Sequence, residues 1–100
     1  MLGIPHFAPD GLTYFVSGYD GSYDNWLAIG SVASDPPVLL WEQGPNVHQG
    51  WEFARWVGND RVALRESAQN EGCPKGNCEG ILRRDGIAWT LERLPPASRN

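Results

Sequence analysis

Glycine and proline interrupt this chain about every eight to twelve residues, and the segments between them are short and apolar. That spacing leaves little room for a helix of ordinary length. It suits strands of four to eight residues joined by tight turns. No window carries apolar residues at three-and-four spacing with capping residues at its ends, so no helix is expected. The predicted strands are residues 13–17 (TYFVS), 25–33 (NWLAIGSVA), 38–43 (VLLWEQ), 51–57 (WEFARWV) and 61–67 (RVALRES). EGILRR and IAWTLERL follow, hinged at Asp85-Gly86, and an Asp-Gly pair between apolar runs is a strong hairpin signal. Seven or eight antiparallel strands result.

Alternation assigns the faces. In the second strand Trp26, Ala28, Gly30 and Val32 oppose Leu27, Ile29 and Ser31. VLLWEQ is apolar on both faces and reads as a central strand. In WEFARWV, strict alternation sets Trp51, Phe53, Arg55 and Val57 against Glu52, Ala54 and Trp56. Trp51 and Trp56 then lie on opposite faces, and one of them is expected at the surface. Ile87, Trp89 and Leu91 share a face of the last strand. With 100 residues, 41% of them apolar, the chain is long enough for one domain with a real core.

Phe7-Ala8 and Phe53-Ala54 each precede a turn, Pro9-Asp10-Gly11 or Gly58-Asn59-Asp60, and each turn leads into an apolar strand. The chain therefore divides into two similar units, residues 7–43 and 51–94, with a flexible tail at 95–100. FAPDG resembles the Phe/Trp-Ser-Pro-Asp-Gly signature of the TolB-like β-propeller repeat. The resemblance implies an aromatic packed between sheets and a tight Pro-Asp-Gly turn. It also implies an all-β fold of two successive antiparallel sheet units that resemble propeller blades. Two such units do not close a ring. They are expected to pack as a small sandwich or partial propeller, or to associate with further copies as a homo-oligomer.

Net charge is −4, with seven acids and one base in residues 1–60 against five acids and seven bases in residues 61–100. An acidic chain repels a phosphate backbone, which excludes nucleic acid as an expected partner. No apolar run is long enough to span a bilayer, so no membrane insertion is expected. Cys73 and Cys78 flank Pro-Lys-Gly-Asn, and a disulfide there would hold Lys75 on a rigid loop. That ring points to a periplasmic or secreted chain whose leader has been removed, with the cytoplasm as the alternative.

The candidate binding residues are aromatic: Trp41, Trp51, Trp56 and Tyr19, with Lys75 beside them. Asp20 and Asp24 in YDGSYDNW have the oxygen-rich spacing of a metal loop, but a structural hairpin turn whose carboxylates cap backbone donors is the preferred account, so no metal is expected. His6 and His48 lie too far apart to join the cysteines in an ordinary zinc set. No nucleophile signature appears, so neither catalytic residues nor a cofactor are expected. The expected role is a non-enzymatic protein-binding module of bacterial inhibitor or immunity type, with a basic protein partner. The alternative is an oligomeric carbohydrate-binding propeller lectin.

Overall fold

The structure, a computed structural model, describes residues 3–19, 24–44, 50–66 and 78–94. Its strands are β1 (His6–Phe7), β2 (Thr13–Tyr19), β3 (Asp24–Ser31), β4 (Val38–Gln43), β5 (Trp51–Trp56), β6 (Arg61–Glu66), β7 (Glu79–Asp85) and β8 (Ala88–Arg93). They form two four-stranded antiparallel meanders, β1-β2-β3-β4 (sheet 1) and β5-β6-β7-β8 (sheet 2). The fold is all-β, two sheets packed as a small sandwich and not closed into a barrel. Among the described residues there is no helix.

The core lies between the sheets. Sheet 1 contributes Phe15, Leu27 and Ile29, and sheet 2 contributes Trp51, Val62, Leu64, Leu82 and Trp89, all buried. Each aliphatic side chain fully removed from water contributes roughly 1.5–3 kcal/mol, so this cluster is the main source of stability. Aromatic contacts knit β1 and β2 to β5. The His6 ring stacks on Phe53 with centroids 4.0 Å apart, and Phe53 lies 5.8 Å from Phe15. Trp56 meets Trp89 edge-on, and its Nε1–H donates to the His6 carbonyl at 2.7 Å.

Buried Glu66 sits at the end of β6, where Arg93 of β8 donates to both carboxylate oxygens, each at 2.5 Å. Hydrogen bonding to the Glu66 carboxylate outweighs the cost of burial and raises the guanidinium pKa above its ordinary value.

Each sheet opens on a turn the sequence encodes. Gly11 and Gly58 both take positive φ, 71° and 70°. In the first turn the Asp10 carboxylate accepts the Leu12 and Thr13 N–H groups at 2.8 and 3.1 Å. These bonds hold the Asp10 pKa below its ordinary value. The two turns also touch, since the Asp10 N–H donates to Asn59 Oδ1 at 2.8 Å.

Four expectations are corrected. A register shift between Phe53 and Arg55 makes Ala54 a bulge, so Trp51, Phe53 and Trp56 all face the core while Glu52 and Arg55 face out. Trp51 and Trp56 are therefore on one face. β4 is an edge strand, not a central one, and its Val38, Leu39 and Leu40 are exposed. The last hairpin turns on Gly86-Ile87, because Asp85 still pairs with Ala88; Ile87 projects into solvent. Finally, Phe7 and Phe53 are not equivalent. Phe7 lies on the outer face of sheet 1 against Tyr14, whereas Phe53 lies inside.

Counted outward from the two turns, Phe7 corresponds to Trp56, Tyr14 to Val62, Val16 to Leu64, Ala28 to Gly80 and Gly30 to Leu82. The sheets thus pack front to back. The face that sheet 2 turns toward sheet 1 is the counterpart of the face that sheet 1 turns away.

Candidate interaction face

That outward face of sheet 1 is built almost entirely from apolar groups. β2 supplies Tyr14 and Val16, and β3 supplies Trp26, Ala28 and Gly30 on the same side. β1 adds Phe7 and β4 adds Leu39. Val16, Ala28 and Gly30 form a buried floor. Phe7 and Leu39 stand above it, 48% and 53% exposed. Between them runs an open groove of about 410 Å³, with Pro5, Phe7, Tyr14, Trp26, Val32 and Leu39 in its lining.

Two local devices shape the floor. The hydroxyl end of the Tyr14 ring lies over Gly30, where an added Cβ would sit 2.2 Å from it; glycine leaves room for that approach. Trp26 directs its Nε1–H to Glu42 Oε2 at 2.9 Å, which ties down the charge carried by β4 on this face. Residues 1–44 contain five acids (Asp10, Asp20, Asp24, Asp35, Glu42) and no Lys or Arg.

The outer face of sheet 2 is different in kind. Glu52 and Arg65 approach to 3.8 Å, and Arg83 and Glu92 to 3.0 Å, as cross-strand ion pairs open to solvent. Arg55, Arg61 and Glu79 share that face. Its small groove, about 110 Å³, has Arg55, Arg65 and Glu79 in its lining.

Of the residues singled out from sequence, Trp51 is buried at 5% exposure, and Trp41 and Trp56 are half-buried against the core. They do not form a surface platform. Tyr19 closes β2 and Asp24 opens β3, where the two pair. Asp20, Lys75, Cys73 and His48 lie outside the described residues, so the proposed metal loop and cysteine ring are not described. Cys78 stands just before β7 and its carbonyl accepts the Glu66 N–H at 2.7 Å, which places the ends of the cysteine-bearing connection side by side. Among the described residues no three His, Cys, Asp or Glu side chains converge as metal ligands. No helix of the described residues is long and apolar enough to cross a membrane.

The groove residues Phe7, Tyr14, Trp26, Val32 and Leu39 were not singled out from sequence. The available signal was that β2, β3 and β4 are apolar on both faces, which in a two-layer fold leaves one apolar face over. No family model, curated protein or solved structure matches this chain.

Proposed function

We propose that this chain is a non-enzymatic protein-binding module of bacterial inhibitor or immunity type, and that it binds through the outer face of sheet 1. The observation that carries the reading is the contrast between the two outer faces, one apolar and grooved, the other laced with ion pairs. Exposed apolar surface rimmed by polar groups is the usual mark of an interaction site. The five acids and absence of Lys or Arg in residues 1–44 favour a basic protein partner, because opposite fields speed encounter. Sugar recognition would need several converging hydrogen-bonding groups, and the polar side-chain atoms of the groove lining are few: the Tyr14 hydroxyl and the Trp26 N–H already given to Glu42. That favours a protein surface over a glycan.

The reading extends to the two cysteines. A Cys73–Cys78 disulfide would close the connection between β6 and β7, whose ends Cys78 and Glu66 already join, and would suit a periplasmic or secreted site of action. Thiol titration of the denatured, unreduced protein tests it, and two titratable thiols would refute it.

Affinity capture from the native lysate tests the function, using the wild type and Leu39→Arg. A basic protein retained at low salt by the wild type and lost from the variant is expected. A partner held equally by both would move the site elsewhere, and the absence of any specific partner would overturn the proposal.

A further inference from the structure

We infer that the outer face of sheet 1 also pairs with itself, so that two copies form a closed two-fold dimer of four stacked sheets in the order 2-1-1-2. The inference rests on the reading above that this face is a binding surface, and it commits to one occupant, a second copy. The first support is the front-to-back packing. Val62, Leu64 and Leu82 of sheet 2 are covered by sheet 1, and their counterparts Tyr14, Val16 and Gly30 belong to the face left open. An aromatic ring also lies over a glycine on each of these matching faces, Tyr14 on Gly30 and Trp51 on Gly80. The open face has the construction of a layer meant to be covered.

The second support is charge. Stacks of similar units end in polar outer faces. Sheet 2 has such a face, with Glu52, Arg55, Arg65, Glu79, Arg83 and Glu92 spread over it. Laying that face on the sheet 1 groove of the next copy would strip water from these charges against a mostly apolar lining that cannot replace it. Head-to-tail stacking is therefore blocked. The remaining outer face free of such a charge lattice is the sheet 1 face itself. A surface that meets its own copy does so about a two-fold axis, and the assembly then closes.

The expected strength follows from size. Four strands about 4.8 Å apart and some six residues long cover roughly 400 Å². Twice that, roughly 800 Å², falls below the range of stable interfaces and among weak, transient ones. A dissociation constant of about 10–100 μM is expected. Salt should strengthen the dimer, because residues 1–44 of each copy carry five acids and no Lys or Arg, and ions screen the repulsion between the copies.

Sedimentation velocity across a concentration series tests this, at low and high salt, on the wild type, Leu39→Glu, Phe7→Glu and Thr90→Lys, each checked for folding by circular dichroism. Both glutamate variants place a charge in the groove. The expected result is a monomer–dimer equilibrium weakened about tenfold or more by either glutamate variant, unchanged by Thr90→Lys on the sheet 2 face, and tightened by salt. A wild type that stays monomeric at about ten times the upper expected constant would overturn the inference. So would species growing beyond the dimer, or a dimer equally affected by Thr90→Lys. A monomeric wild type together with a basic partner still lost from Leu39→Arg would refute the self-pairing and leave the binding face intact.

Discussion

Sheets 1 and 2 each bury one face against the other, and they differ on the face that remains. Sheet 2 surrounds outward-facing Ala63, Ile81 and Thr90 with Glu52, Arg55, Arg65, Glu79, Arg83 and Glu92. Sheet 1 sets Tyr14, Val16, Trp26, Ala28 and Leu39 on the outward positions of three strands, with Glu42 among them held by the Trp26 N–H. A charge lattice on an antiparallel sheet is what solvent demands, and half-exposed Phe7 and Leu39 are not. Similar meanders can thus serve different ends. Sheet 2 is a lid on the core, and sheet 1 is a wall apolar on both sides. The difference also divides the tryptophans: Trp41, Trp51, Trp56 and Trp89 pack in or against the core between the sheets, and Trp26 lines the open groove.

The largest test of this contrast is one truncation made on both sides of the wall. Leu82→Ala empties a fully buried site and should cost about 3 kcal/mol in urea unfolding. Leu39→Ala, on the outer face, should cost less than about 0.5 kcal/mol in dilute protein. Equal costs would break the distinction between covered and open faces.

Ion pairs come next. Arg93→Ala removes a guanidinium from Glu66, whose side chain is fully buried, and should cost about 2 kcal/mol, less than a wholly buried pair because Arg93 is 42% exposed. Arg83→Ala breaks a pair that is about half exposed on both sides and should change stability by less than about 1 kcal/mol.

The two glycine–aromatic overlaps sharpen the comparison further. Gly80→Ala drives a Cβ to within 2.5 Å of the Trp51 ring, which the core holds in place, and should cost about 2 kcal/mol. Gly30→Ala meets Tyr14 at 2.2 Å, but that ring borders an open groove and can swing aside, so the cost should be nearer 1 kcal/mol.

The smallest effect concerns the first turn. Asp10 titrates below its ordinary 3.8 in the folded chain, because Leu12 and Thr13 donate to its carboxylate. A lowered folded value stabilises above the unfolded pKa and is lost as pH falls through the folded one. Asp10→Asn should therefore cost only about 0.5 kcal/mol or less at neutral pH, because solvent screens this exposed carboxylate, and the difference from wild type should vanish in acid. A difference that grows below pH 4 or so would contradict this sign.

The strands were legible because glycine and proline mark their ends, and the two faces of β3 follow directly from alternation. What alternation does not reveal is a bulge. The one extra residue at Ala54 returned Trp56 to the side of Trp51, and with it removed the surface tryptophan that strict alternation requires. The repeat was visible in the turns but misaligned, because Phe53 matches Phe7 in letters whereas Trp56 matches it in position. β4 reads as central because VLLWEQ carries apolar residues on both faces, yet it forms an edge. The same property was the trace of the open face. Whether a strand's second apolar face is covered depends on which sheets meet, and no local pattern encodes that.

The most direct measurement follows the indole N–H signals of a ¹⁵N-labelled sample, dilute enough to be monomeric, as a water-soluble paramagnetic chelate is added. Broadening of Trp26 well before Trp51 and Trp89 is predicted, since Trp26 lines the open groove while the other two lie between the sheets. Trp51 broadening as early as Trp26, or Trp26 protected as fully as Trp89, would contradict the assignment of the two faces.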